Sequence, residues 1–120
     1  MPNEPFPARI ALTTVSSLDQ GRQLARHLVE RRLAACVNLI PGLTSVYRWQ
    51  GAVEEAEETL LLIKTTEDRL PALQAAVEQL HSYDVPEFLA LPVKSGSQPY
   101  LDWLLDSVKD SVKQRAASQL

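Results

Sequence analysis

Hydrophobic and polar positions along this chain switch between a period of two and a helical period. "ARIALTTV" (Ala8 to Val15) is apolar and β-branched and reads as a buried strand. Ser17, Leu18, Asp19 and Gln20 have the S-x-x-Q form of a capping box, so a helix begins there. Leu24, Ala25, Leu28, Val29 and Leu33 then recur at helical spacing, with Gln23, Arg26, Glu30 and Arg31 on other faces. "AACVNLI" (residues 34–40) reads as a strand entered almost directly from that helix, and Pro41-Gly42 interrupts it as a bulge or turn. "TSVYRWQ" (residues 44–50) is extended again, with Ser45, Tyr47 and Trp49 on one face and Val46 and Arg48 on the other. "GAVEEAEE" is expected as an acidic connection, followed by "TLLLIKT" (residues 59–65), apolar on both faces and therefore central. The pattern is that of one long hairpin running out and back, bent at Pro41-Gly42.

A second helix follows, with Leu70, Leu73, Val77 and Leu80 as its stripe, Pro71 in its first turn and an end before Asp84. "EFLALPV" (residues 87–93) is the last expected strand, with Pro92 marking an edge or late bulge. A third helix carries Leu101, Leu104, Leu105, Val108 and Val112 on its buried side, with Pro99 in its first turn. The order β-α-β-β-α-β plus a helix predicts an α+β, ferredoxin-like fold with a four-stranded antiparallel sheet, a long bent hairpin and an additional C-terminal helix. Residues 1–7 are expected as a flexible arm, 8–113 as the domain and 114–120 as a fraying tail. Two helices cover only one sheet face. The other needs the third helix and partner subunits, because each large aliphatic side chain kept from water is worth roughly 1.5–3 kcal/mol.

At 120 residues the chain fits one domain, and 45% hydrophobic residues suffice for a core. A net charge of −3 with no basic block argues against nucleic-acid partners. No apolar run approaches the ~20 residues that span a bilayer, and no secretory signal is visible, so neither membrane nor export is expected. A lone cysteine cannot form an internal disulfide and needs no oxidising compartment, which points to the cytoplasm.

Soft ligands are few: Cys36, His27 and His81. Cys36 reads either as a thiolate ligand for copper or zinc or as a small buried apolar residue. His81, in "LHSYDVPEF", reads either as a cap on the second helix or as a ligand beside Tyr83 and Glu87. In the acidic run Glu54, Glu55, Glu57 and Glu58, alternation puts Glu58 on one face with Leu60, Leu62 and Lys64, so it is expected to be partly buried. A nucleophilic Cys36–His81 pair lacks a third, orienting residue, and no phosphate-binding or hydrolase motif occurs, so no enzyme is expected.

The segments "RLAACVNLIPGLTSVYRWQG", "ETLLLIKTT", "HSYDVPE" and "YLDWL" together resemble the CutA family, the divalent-cation tolerance proteins, from about Ala8 to Val108. The resemblance implies a ferredoxin-like homotrimer that binds divalent cations, Cu(II) above all and zinc as another candidate, with no metal needed for folding. Carried over, it implies Cys36, Glu58 and His81 as metal residues. Trp49, Lys64 and Tyr83 then line a cleft between subunits. Two departures stand out: Ser82 replaces the proline of the family's H-P-Y motif, and Thr13 stands where some members have a cysteine. The second rules out a two-thiolate site within one subunit. The alternative reading is a PII-like signalling trimer whose clefts hold an anionic metabolite on Lys64 and Arg48.

Overall fold

The computed structural model describes residues 6–109. Most of the expected arm, the whole expected tail and Val112 lie outside them. The elements are β1 (Ala8–Val15), α1 (Leu18–Glu30), β2 (Cys36–Trp49), β3 (Ala52–Thr66), α2 (Leu70–Leu80), β4 (Leu89–Pro92) and α3 (Gln98–Ser107), with a 3-10 turn at Glu67–Arg69. All strand pairs are antiparallel, in the order β2-β3-β1-β4. That is the ferredoxin-like plan with an added helix.

The local signals act as their chemistry requires. Ser17 caps α1, its hydroxyl accepting from the Gln20 amide at 3.1 Å. Leu24, Ala25 and Leu28 of α1 pack with Leu73, Ala76 and Val77 of α2 on Ala11, Val15, Leu61 and Ile63 of the sheet. Leu33 is buried in this core too, but α1 stops at Glu30. Arg32, at φ 59°, turns the chain so that Leu33 and Ala34 donate backbone bonds back to Leu28.

Two expectations are corrected. "GAVEEAEE" is not a connection. β3 begins at Ala52 and pairs residue by residue with β2 up to Trp49↔Ala52, leaving a tight turn at Gln50 (φ 50°) and Gly51 (φ 83°). Both are left-handed, the geometry that matches strand twist in a two-residue hairpin. The acidic stretch forms strand because β2 lies beside it, not because of its own pattern. β4 is also shorter than expected, and Phe88 packs onto the helix-covered core instead of extending it.

The bulge at Pro41-Gly42 is present. Ile40 pairs with Leu60 and Leu43 with Glu58, so Pro41 and Gly42 stand opposite Thr59 alone, with Gly42 at φ 76°. One extra residue inverts side-chain parity along β2. Cys36, Asn38 and Ile40 point to the sheet face away from α1 and α2. After the bulge Leu43, Ser45, Tyr47 and Trp49 do.

Among the described residues that second face is only partly covered. α3 packs Leu101, Leu104 and Val108 on Ala8 and Ala35 at one end. Across the rest run two register rows, Cys36–Lys64–Ile10–Leu91 and Asn38–Leu62–Leu12–Leu89. Leu89 is 57% exposed and Leu91 48%. The long hairpin also stretches the molecule, giving a radius of gyration of 16.2 Å, against about 13 Å for a compact chain of this size.

Thr13 sits fully buried on the helix-covered face, and its hydroxyl has no hydrogen-bond partner among the described residues. An unsatisfied buried hydroxyl costs about 1–3 kcal/mol, which an apolar residue of the same shape avoids. Thr13→Val is therefore expected to raise the denaturant midpoint at unchanged slope. A lower midpoint would show that the hydroxyl is satisfied in solution.

Candidate functional site

β4 stops pairing with β1 at Leu12↔Leu89, so the Thr14 carbonyl beyond it has no strand to bond. His81 fills that gap. Its Nε2 lies 2.7 Å from the Thr14 carbonyl oxygen, and its Nδ1 accepts from the Tyr83 amide at 3.1 Å. An Nδ1 that accepts places the proton on Nε2, which then donates to Thr14. The backbone of His81 ends α2, with its amide on Val77. Its imidazole does not cap that helix; it serves the sheet. Two hydrogen bonds orient the ring even with Ser82 in place of a proline.

Tyr83 extends the network. Its ring packs against His81, with centroids 4.6 Å apart, and its hydroxyl donates to Glu58 Oε2 at 2.7 Å. Glu58 is only 8% exposed, as alternation along β3 predicts. Burial, and then the hydrogen bond to the Glu58 carboxylate and its charge, push the Tyr83 phenol well above its ordinary value of 10.0.

Beside this network opens a cavity of about 720 Å³. Tyr47, Trp49 and Tyr83 supply aromatic walls, and Glu58, Asp84 and Glu87 supply carboxylates. The bulge is what turns Tyr47 and Trp49 to this side, since Glu58 shares the face they occupy. Both aromatics are 43% exposed. Neither Asp84 nor Tyr47 was singled out as a site residue in the sequence; the α2–β4 loop brings Asp84 to the cavity and the bulge turns Tyr47 to it.

The remaining candidates lie elsewhere. Cys36 is half-buried and pairs with Lys64, six residues along β3 from Glu58, or ~20 Å at strand spacing. Lys64 lies over the Tyr100 ring of α3, 5.8 Å from its centroid. Arg48 pairs with Val53 near the hairpin tip, so it and Lys64 stand at opposite ends of β3. Glu58, His81 and Tyr83 thus gather at one place, Trp49 lines the far end of the same cavity opposite Ala52, and Cys36 and Lys64 lie in the other direction along β3. No group of three His, Cys, Asp or Glu side chains suited to a metal occurs among the described residues.

A raised phenol pKa means that the folded state holds the Tyr83 proton more tightly than the unfolded chain does. The resulting stability is complete below pH 10.0 and is lost as pH rises above it. In unfolding titrations between pH 8 and 11, Tyr83→Phe is expected to be less stable than the parent at the low end, with the gap narrowing upward. A gap constant across that window would show that Tyr83 does not ionise differently on unfolding.

The sequence profile of the family described as "CutA1 divalent ion tolerance protein" matches residues 9–107. The chain is 54% identical over 98 residues to the "Divalent-cation tolerance protein CutA" of Thermus thermophilus, covering 82% of this chain and 95% of that protein. It is 46% identical over 105 residues to "Protein CutA 1, chloroplastic" of Oryza sativa subsp. japonica, covering 88% of this chain but 59% of that one. The solved CutA1 structure from Oryza sativa superposes with a TM-score of 0.85 at 44% identity, over 88% of this chain and 97% of that one. The Thermus thermophilus structure superposes at 0.82 with 53% identity, over 83% and 97%. Profile match, sequence identity and fold agree, and the chain belongs to the CutA1 divalent ion tolerance family.

Proposed function

We propose that this chain serves divalent-cation tolerance as a non-enzymatic homotrimer that binds divalent cations, Cu(II) foremost and zinc next. The observation that supports self-association is the apolar sheet face left open beside α3. Ile10, Leu12, Leu62, Leu89 and Leu91 share it across three strands. Neighbouring sheets of the same kind would cover it, removing surface at roughly 25 cal/mol per Å² of apolar area.

The metal reading rests on Glu58, Cys36 and His81, with Trp49, Tyr83 and Lys64 beside them at subunit boundaries. Glu58 and Cys36 occupy the same open face at separate points along β3. In this reading a site that uses both draws them from different subunits. His81 joins only by releasing Thr14 or the Tyr83 amide, because each ring nitrogen is already bonded. A neutral imidazole, a thiolate and a carboxylate together suit copper and zinc. The PII-like alternative is less supported, since Arg48 and Lys64 lie far apart within the subunit. With one cysteine and no helix among the described residues long and apolar enough to cross a membrane, the reading assigns the protein to the cytoplasm. Relatives from plants are named chloroplastic.

Light scattering is expected to give three times the 13.4 kDa chain mass, and Leu62→Asp to lower it. A monomeric parent at micromolar concentration would overturn the assembly. Anaerobic titration with Cu(II) is expected to show a saturable site that His81→Ala and Cys36→Ala each weaken. Stoichiometric binding undiminished in both variants would sink the ligand assignment.

A further inference from the structure

We propose that α3 is a strap that opens from the sheet as a unit and is latched shut by Arg32 and Arg69. The latch is built from contacts within one chain, so it depends on neither the trimer nor the metal reading.

The last carbonyls of an α-helix have no amide of their own helix to bond. At the end of α3, Arg32 Nη1 donates to the Ser107 carbonyl at 3.2 Å, and Arg69 Nε donates to the Val108 carbonyl at 2.9 Å. Two guanidinium groups thus hold consecutive carbonyls. They come from separate places, the turn after α1 and the 3-10 turn before α2. A cation at that end also meets the negative pole of the helix dipole. α3 has no basic residue in its own last turn, and Lys109 just beyond it pairs with Asp106 at 3.4 Å.

Arg32 holds this contact from a backbone position that disfavours it. It stands at φ 59°, in a turn closed by the Arg32 and Leu33 amides on the Val29 and Leu28 carbonyls. Glycine is the usual residue there, because a Cβ crowds the backbone at positive φ. Glycine would suit the end of α1 better but has no side chain to reach α3. Among the described residues the Arg32 guanidinium makes its hydrogen bond to Ser107, so the contact with α3 is what the disfavoured residue supplies.

Within the described chain little else holds α3 down. It joins β4 through residues 93–97, which form no regular structure, and Ser97 makes no side-chain cap. Leu101, Leu104 and Val108 rest with Val93 on two alanines, Ala8 and Ala35. α1 and α2 share a far larger core with Leu61 and Ile63. A helix with few buried apolar contacts opens at lower free energy than the core around it. Opening uncovers Ala8 and Ala35 and lifts the Tyr100 ring from Lys64.

Amide hydrogen exchange of the full chain tests the latch, read by mass spectrometry under conditions where the rate reports the open fraction. Residues 98–107 of α3 are compared with 60–65 of β3. In the parent, α3 is expected to exchange faster than β3. Arg69→Gln is expected to speed α3 about tenfold and Arg32→Gly about threefold, since the Arg69 contact is the shorter and less exposed. Neither is expected to change β3. Arg32→Gly is also expected to leave residues 24–30 of α1 unchanged or slower, because glycine relaxes the turn; a general loss of stability would speed them. Glycine fits the Arg32 backbone, so this variant carries the test even if Arg69→Gln does not fold. Unchanged α3 exchange in Arg32→Gly, or a parallel rise in β3, would overturn the proposal.

Discussion

Everything in this molecule depends on β3 being apolar on both sides. Leu61 and Ile63 point to one face and Leu60 and Leu62 to the other, so a single strand demands two coverings. α1 and α2 provide the first and close a core with no exposed gap at Leu61, Ile63, Leu28 or Val77. α3 provides only the end of the second, around Ala8 and Ala35. Among the described residues, three helices leave part of that face open on a sheet whose hairpin strands run to 14 and 15 residues. The proposed trimer and the cross-subunit metal site both grow from that shortfall.

The site depends on two departures from regular strand geometry. The first is the bulge at Pro41-Gly42, whose extra residue carries Tyr47 and Trp49 to the Glu58 side. The second is the early stop of β4, which leaves the Thr14 carbonyl open for the His81 imidazole. With that ring in place, the Tyr83 amide bonds to Nδ1 and the Tyr83 hydroxyl reaches Glu58. A buried acid on a β-strand is costly unless hydrogen-bonded. Here its partner comes from a loop 25 residues further along the chain, which couples the loop's conformation to the sheet.

Much of this was legible in residue patterns. The capping box at Ser17, the stripe Leu24–Ala25–Leu28, the two-faced strand around Leu61 and the partly buried Glu58 each follow from periodicity and short-range chemistry. The misreadings share one cause. "GAVEEAEE" has no apolar alternation of its own and becomes strand only because β2 pairs with it, and Phe88 leaves the strand register to fill a core gap. Both outcomes are set by neighbours remote in sequence, to which local patterns are blind.

The sequence by itself determined the element order, the ferredoxin-like plan and the family, because periods, caps and the Pro-Gly bulge are written over a few adjacent residues. The tertiary structure decided which side chains share a site. His81 proved to serve a carbonyl of β1 rather than the end of its own helix, and Cys36 and Lys64 fell well away from Glu58. Register and loop return set those distances, and both are properties of the assembled sheet: a side chain's face and partners are fixed by hydrogen bonds to strands that lie tens of residues away.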